Sequence, residues 1–106
     1  MAFTGNEDHT ITLAAAAAWT KNFRDTLVAG QDATIGHYFS KSYIEEILAQ
    51  DDCVGIRIYH ALDGDGNRQL VIAGVKSNED DLGQGIIAEH GLKSPPRGGA
   101  SNSLNS

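Results

Sequence analysis

The most regular alternation of apolar and polar positions runs from Cys53 to Val75, CVGIRIYHALDGDGNRQLVIAGV. Val54, Ile56, Ile58 and Leu62 share one parity, with His60 the polar member among them; Gly55, Arg57, Tyr59 and Ala61 share the other. A period of two in β-branched and aromatic residues predicts a strand with one buried face. The run from Gln69 to Val75 is apolar on both parities, Leu70 and Ile72 on one and Val71, Ala73 and Val75 on the other. That pattern predicts a strand that is central or covered on both sides. Between the two runs lies Asp63-Gly64-Asp65-Gly66-Asn67-Arg68. Gly supplies positive φ and Asp and Asn tolerate it, so the segment predicts a hairpin turn and the two strands an antiparallel pair.

A period near four precedes the hairpin. Ala15, Trp19, Phe23 and Leu27, with Ala16 and Thr20 beside them, form one face of an amphipathic helix, and Lys21, Arg24 and Asp25 fall away from it. Thr10 or Thr12 can cap its start, and Gly30 stands where a C-terminal cap would follow an end at about Leu27 or Val28. The alanine run adds helix propensity with little bulk. Thr34 to Phe39 fits either a short extended segment or a turn. A second helix follows, capped by Ser40 or Ser42, with Ser42 and Glu45 at capping-box spacing. Tyr43, Ile44, Ile47 and Leu48 form its apolar face and Glu45, Glu46 and Gln50 its wet one.

After Val75 the segment from Lys76 to Asp81 has no apolar residue and predicts a solvated loop. Ile86 to Ala88 fits a third short strand or a helical turn. From Lys93 onward the chain is rich in Pro, Gly, Ser and Asn and has one apolar side chain, Leu104, too little to offset the entropy of ordering. The pattern therefore predicts a flexible N-terminus over 1–10, a single α+β domain over 11–92 and a flexible tail over 93–106. Its fold is two N-terminal helices packed on an antiparallel β-hairpin or small sheet.

Composition narrows the functional classes. The chain has 106 residues, enough for one domain with a modest core. Its net charge is −6, and its eight Lys and Arg residues are scattered, which argues against binding nucleic acid or an anionic membrane. One cysteine excludes an intrachain disulfide, and no Cys/His spacing resembles a zinc site. The acidic N-terminus and the short apolar run from Leu13 to Trp19 resemble neither a signal peptide nor a membrane span, so a cytoplasmic location is the expectation.

Ile44-Glu45-Glu46-Ile47-Leu48, Cys53 to Tyr59, Leu70 to Val75 and Asp81-Leu82, with Tyr38-Phe39 ahead of them, resemble a pattern in a group of small uncharacterised bacterial proteins. The resemblance covers roughly half the chain and implies the fold rather than an activity. Members of that group often end in a Pro- and Cys-containing segment; here Pro95-Pro96 are present without the cysteines.

Arg57 is the charge that most needs an explanation, because it lies mid-strand between two isoleucines and on the same face as Tyr59. If covered, it requires a carboxylate, and Glu45, Glu46 or Asp25 are the candidates. The alternative is a site in which Arg57, Tyr59 and His37 hold an anionic ligand or peptide in a cleft between the sheet and the second helix. Asp63, Asp65 and Asn67 open like a calcium loop, but Arg68 and Gly74 stand where that loop needs Gly and Glu, so turn chemistry suffices. Cys53 and His60 are more than about 20 Å apart on an extended strand, too far for a thiol–imidazole pair. His37 is not excluded by spacing, yet Cys53 fits a small apolar residue at the sheet margin. No catalytic residue, metal or cofactor is expected. A hairpin with a two-sided apolar strand lacks cover of its own. The expected function is a small self-associating interaction or assembly module, with a homo-oligomer or protein partner. The alternatives are the Arg57/Tyr59 binding protein and, less favoured, a cysteine-dependent enzyme.

Overall fold

The computed structural model describes residues 2–89, 91–96 and 99–105. It is α+β, with the order α1 (Leu13–Arg24), β1 (Gly36–Tyr38), α2 (Lys41–Leu48), β2 (Cys53–Leu62), β3 (Arg68–Lys76), β4 (Ile87–Ala88) and β5 (Leu92–Ser94). Its contacts group into two compact units. The first unit is Met1–Asp8 with Phe39–Gly91 and the second is His9–Tyr38 with Leu92–Ser106.

In the first unit β2, β3 and β4 form an antiparallel sheet with β3 in the middle, the place its two-sided apolar pattern predicts. The turn from Asp63 to Asn67 is built on one carboxylate. Oδ1 of Asp63 accepts the N–H groups of Asp65 at 2.9 Å and Asn67 at 3.0 Å, Oδ2 accepts Gln69 Nε2 at 2.9 Å, and Gly66 takes φ 81. The segment at Ile86–Ala88 resolves to strand: Ile87 and Ala88 pair with Ala73 and Ile72.

Residues paired across a sheet share a face, and neighbours along a strand alternate. The row Ile58, Ile72, Ala88 therefore points one way and the row Arg57, Ala73, Ile87 the other. Helix α2 covers the first face at Ile72 and Ala88 and leaves Ile58 half exposed. Ser40, in extended conformation, caps it by accepting the Tyr43 N–H at 3.3 Å, which settles the cap in favour of Ser40 over Ser42. Its Ile47 is fully buried against Ile72 and Ala88, with Phe39, Ile44 and Ile86 around them. Full burial of one such side chain stabilises by about 1.5–3 kcal/mol. Tyr43 and Leu48 remain 39% and 45% exposed, because a helix this short sets one narrow stripe against the sheet. Gln50 braces the helix end: its Nε2 donates to Ile47 O at 2.9 Å and its Oε1 accepts the Ile86 N–H at 2.8 Å. Gly74 and Gly85 leave it room. A Cβ on Gly74 would stand 2.9 Å from Gln50 Nε2 and 3.0 Å from Cys53 Sγ, and a Cβ on Gly85 would overlap Gln50 Oε1.

The direction of the main-chain groups on β2 follows from the register. The Asp63 N–H to Asn67 O bond, 3.0 Å, brackets Leu62 and Arg68 as a pair that exchanges no bonds of its own. Leu62 thus turns its N–H and C=O away from β3, and so, two residues at a time, do His60, Ile58 and Ile56. The far side of β3 agrees. Leu82 N–H to Gly74 O at 2.8 Å and Lys76 N–H to Asp80 O at 2.9 Å direct its even residues toward β4, leaving Val71, Ala73 and Val75 to bond Tyr59, Arg57 and Gly55.

In the second unit Thr12 caps α1 by accepting the Ala15 N–H at 3.1 Å. The helix ends at Arg24, about one turn short of the predicted Leu27 or Val28, and Gly30 is not its cap. Thr26 explains the difference: its hydroxyl donates to Phe23 O at 2.6 Å and its N–H to the same carbonyl at 2.9 Å, so a tight three-residue turn replaces the next helical bond. The ambiguous segment at 34–39 contains β1, which pairs with β5 in the register Gly36 with Ser94, His37 with Lys93 and Tyr38 with Leu92. The predicted tail boundary at 92/93 therefore falls inside a paired strand. Thr34 is buried and satisfied, its hydroxyl donating to Asp32 Oδ1 at 2.6 Å.

Candidate functional site

The face of the sheet opposite α2 carries the chemistry. Asp81 pairs with Val75 in an isolated bridge, so its side chain shares the face of Val75, Ala73 and Arg57. Arg57 and Asp81 lie on opposite sides of β3, and the arginine stem must cross that strand to reach the carboxylate. It does: Arg57 Nη1 stands 2.6 Å from Asp81 Oδ1 and 3.2 Å from Glu79 O. Small residues beneath make the crossing possible, and Ala73 and Val75 are themselves 4% and 2% exposed. The Tyr59 hydroxyl donates to the other Asp81 oxygen, Oδ2. Phe3, tied to the turn after β3 by its N–H to Ser77 O at 2.7 Å, sets its ring 5.9 Å from the guanidinium carbon.

The loop that delivers Asp81 depends on backbone geometry. Glu79 takes φ 77 and donates its N–H to Lys76 O at 2.9 Å, while Asn78 Oδ1 accepts the Asp80 N–H at 3.0 Å. Arg57 thus holds the carbonyl of a residue in the left-handed region as well as a carboxylate. The Tyr59 hydroxyl, first, and the Arg57 guanidinium, second, hold Asp81 below the ordinary carboxylate value of 3.8. Tyr59 and then Asp81 push Arg57 further up, so it stays a cation at any pH the fold survives. A second carboxylate is used locally: Glu7 accepts the Thr4 N–H at 2.8 Å and the Gly5 N–H at 3.1 Å, and these bonds lower its pKa too.

Among the three predicted site residues, Arg57 and Tyr59 meet on Asp81. They do so on the face away from α2, so the expected cleft between the sheet and the second helix is not where they converge. His37 belongs to β1 of the second unit, half-buried beside Lys93 in the register. The partner of Arg57 is Asp81 rather than Glu45, Glu46 or Asp25. The signal that could have found it is the spacing of Val75 and Asp81, since a return turn after Lys76 places residue 81 on the face of 75 and 57. Phe3 had no such signal. Cys53 is a half-buried thiol that donates to Gly55 O at 3.2 Å. Among the described residues no group of three His, Cys, Asp or Glu could hold a metal ion, and no helix is long and apolar enough to cross a membrane.

The second unit has a shallow depression of about 260 Å3 lined by Trp19, Thr20, Phe23, Arg24, Ile35 and Leu104, with Arg24 Nη1 donating to Leu104 O at 2.6 Å. The other large feature is the outer edge of β2. It is ten residues long, and Ile56, Ile58 and Leu62 are 38%, 49% and 71% exposed. Comparison of the chain with protein-family models, with curated proteins and with solved structures found no match.

Proposed function

We propose that the chain is a self-associating interaction module that pairs through the outer edge of β2. The observation that carries this reading is the row of outward main-chain groups at Ile56, Ile58, His60 and Leu62. An edge of this length is a template for another strand unless Pro, Lys, a bulge or a covering segment blunts it. β2 has its bulge at the Cys53/Gly55 end and neither Pro nor Lys along its length. The three exposed apolar side chains add area to such a pairing; covering what each still shows is worth part of the about 1.5–3 kcal/mol of full burial.

The competing reading, an anion or peptide site on Arg57 and Tyr59, is weaker on the same geometry. Both side chains already bond Asp81, and a ligand carboxylate would have to displace that oxygen pair and leave it beside the incoming charge. Sedimentation velocity at micromolar concentration tests the proposal: a concentration-dependent dimer or larger species supports it, and a strict monomer rejects it.

A further inference from the structure

We infer that the partner is a second copy of this chain, its β2 antiparallel to the first about a two-fold axis at Tyr59. This rests on the edge-pairing reading above and adds its register. The usable edge is bounded at both ends. At one end the N-terminal segment lies against Val54, where a Cβ on Gly5 would stand 2.9 Å from the Val54 carbonyl oxygen. At the other, Asp63 begins the turn. Among the described residues, the run with no other segment on it is therefore Ile56 to Leu62, and its midpoint is Tyr59.

An axis at Tyr59 sets Ile56 against the partner copy's Leu62 and Ile58 against its His60. All four residues with outward groups then exchange N–H and C=O bonds with their opposites, and none is left over. Moving the axis to Ile58 brings Leu62 against Val54, where the N-terminal segment lies. Moving it to His60 brings Ile56 against Gly64 of the turn. Both alternatives leave outward groups unmet.

Side chains and charge favour the same register. Tyr59 falls at a position that exchanges no bonds across the axis, where backbones approach most closely, at about 4.5 Å between Cα atoms. In each copy Asp81 holds the Tyr59 hydroxyl of the same chain over β3, so the rings lean away from the axis. On the α2 face Ile56 and Leu62 meet as an apolar pair. Residues 56–62 contain no carboxylate and one cation, Arg57, which Asp81 balances. In a chain of net charge −6 this is a stretch where two copies meet without opposing charges.

The test uses the full chain with Cys53→Ser as background. Leu62→Cys carries a nitroxide at the end of the paired run, and the unlabelled parent chain is sedimented beside it. With the axis at Tyr59 the two labels sit six residues apart along the strands, a peak at about 20 Å in pulsed dipolar spectroscopy. Axes at Ile58 or His60 give about 27 Å or about 13 Å instead. In parallel, single cysteines at Ile58, Tyr59 and His60 are oxidised mildly, and Tyr59→Cys is expected to form covalent dimer at least about tenfold faster than either neighbour, following the close approach at such pairs. A dimer with either other distance overturns the register while leaving edge pairing standing. A parent chain that sediments as a monomer overturns both.

Discussion

The two edges of the three-stranded sheet dispose of their main-chain groups differently. β4 has two strand residues, and side chains of α2 and its C-terminal turn close over it: Tyr43 donates its hydroxyl to Ile87 O at 3.3 Å, and Gln50 takes the Ile86 N–H at 2.8 Å. β2 runs for ten residues, and past Val54 no described side chain or segment bonds its outward groups. Among the described residues, the β4 edge has side chains bonded to its outer groups at Ile86 and Ile87, and the β2 edge past Val54 has none. The lesson is that buried area alone does not distinguish the two edges. The hydrogen-bond inventory does, because unpaired donors and acceptors lie along one line.

That contrast can be broken from either side. The largest expected effect is on the β4 side. Ile47→Ala removes the fully buried side chain that joins α2 to Ile72 and Ala88, and denaturant unfolding should show a loss of about 2–5 kcal/mol. Next, Gly85→Ala drives a methyl into Gln50 Oε1 and loosens the brace on Ile86; about 1–3 kcal/mol is expected in the same assay, with a smaller effect if Gln50→Ala is made first. On the β2 side, Ile58→Lys adds a charge to a side chain already half exposed. Monomer stability should stay within about 1 kcal/mol of the parent. Self-association, read by light scattering, should weaken by at least about tenfold, since two like charges then face the same edge.

The smallest effect concerns the face that carries Arg57. Asp81 is lowered in the folded chain, so between its folded value and 3.8 the unfolded state binds more protons. The stabilisation from this cluster is present above about pH 4 and is lost as pH falls through the folded value. Asp81→Asn should flatten that acid limb of the melting temperature against pH and leave the neutral-to-alkaline limb parallel to the parent.

Much of the sheet was legible in the sequence. The Asp-Gly turn, the alternation in β2 and the two-sided pattern of β3 gave the hairpin and its central strand, because each depends on neighbours in sequence; the face that the β2 alternation marks as buried, with Ile56, Ile58 and Leu62, is instead exposed. The caps at Thr12 and Ser40 were legible within the pair of candidates for the same reason. What failed were features set by a competing hydroxyl or by distant residues. Thr26 stops α1 early by bonding Phe23 O, which a four-residue period does not reveal. The pairing of β1 with β5 joins residues far apart in sequence, and composition alone assigns 93 and 94 to a tail. The Asp81 partner of Arg57 depends on Glu79 adopting positive φ, a conformation its residue type does not signal.

The claim that the outer edge of β2 is a pairing surface is tested most directly by sedimentation velocity on the parent chain beside Ile58→Lys, across the micromolar range and at one salt concentration. The account expects a concentration-dependent dimer in the parent and a monomer in the variant, both folded. A parent that remains monomeric throughout, or a variant that associates as strongly as the parent, contradicts it.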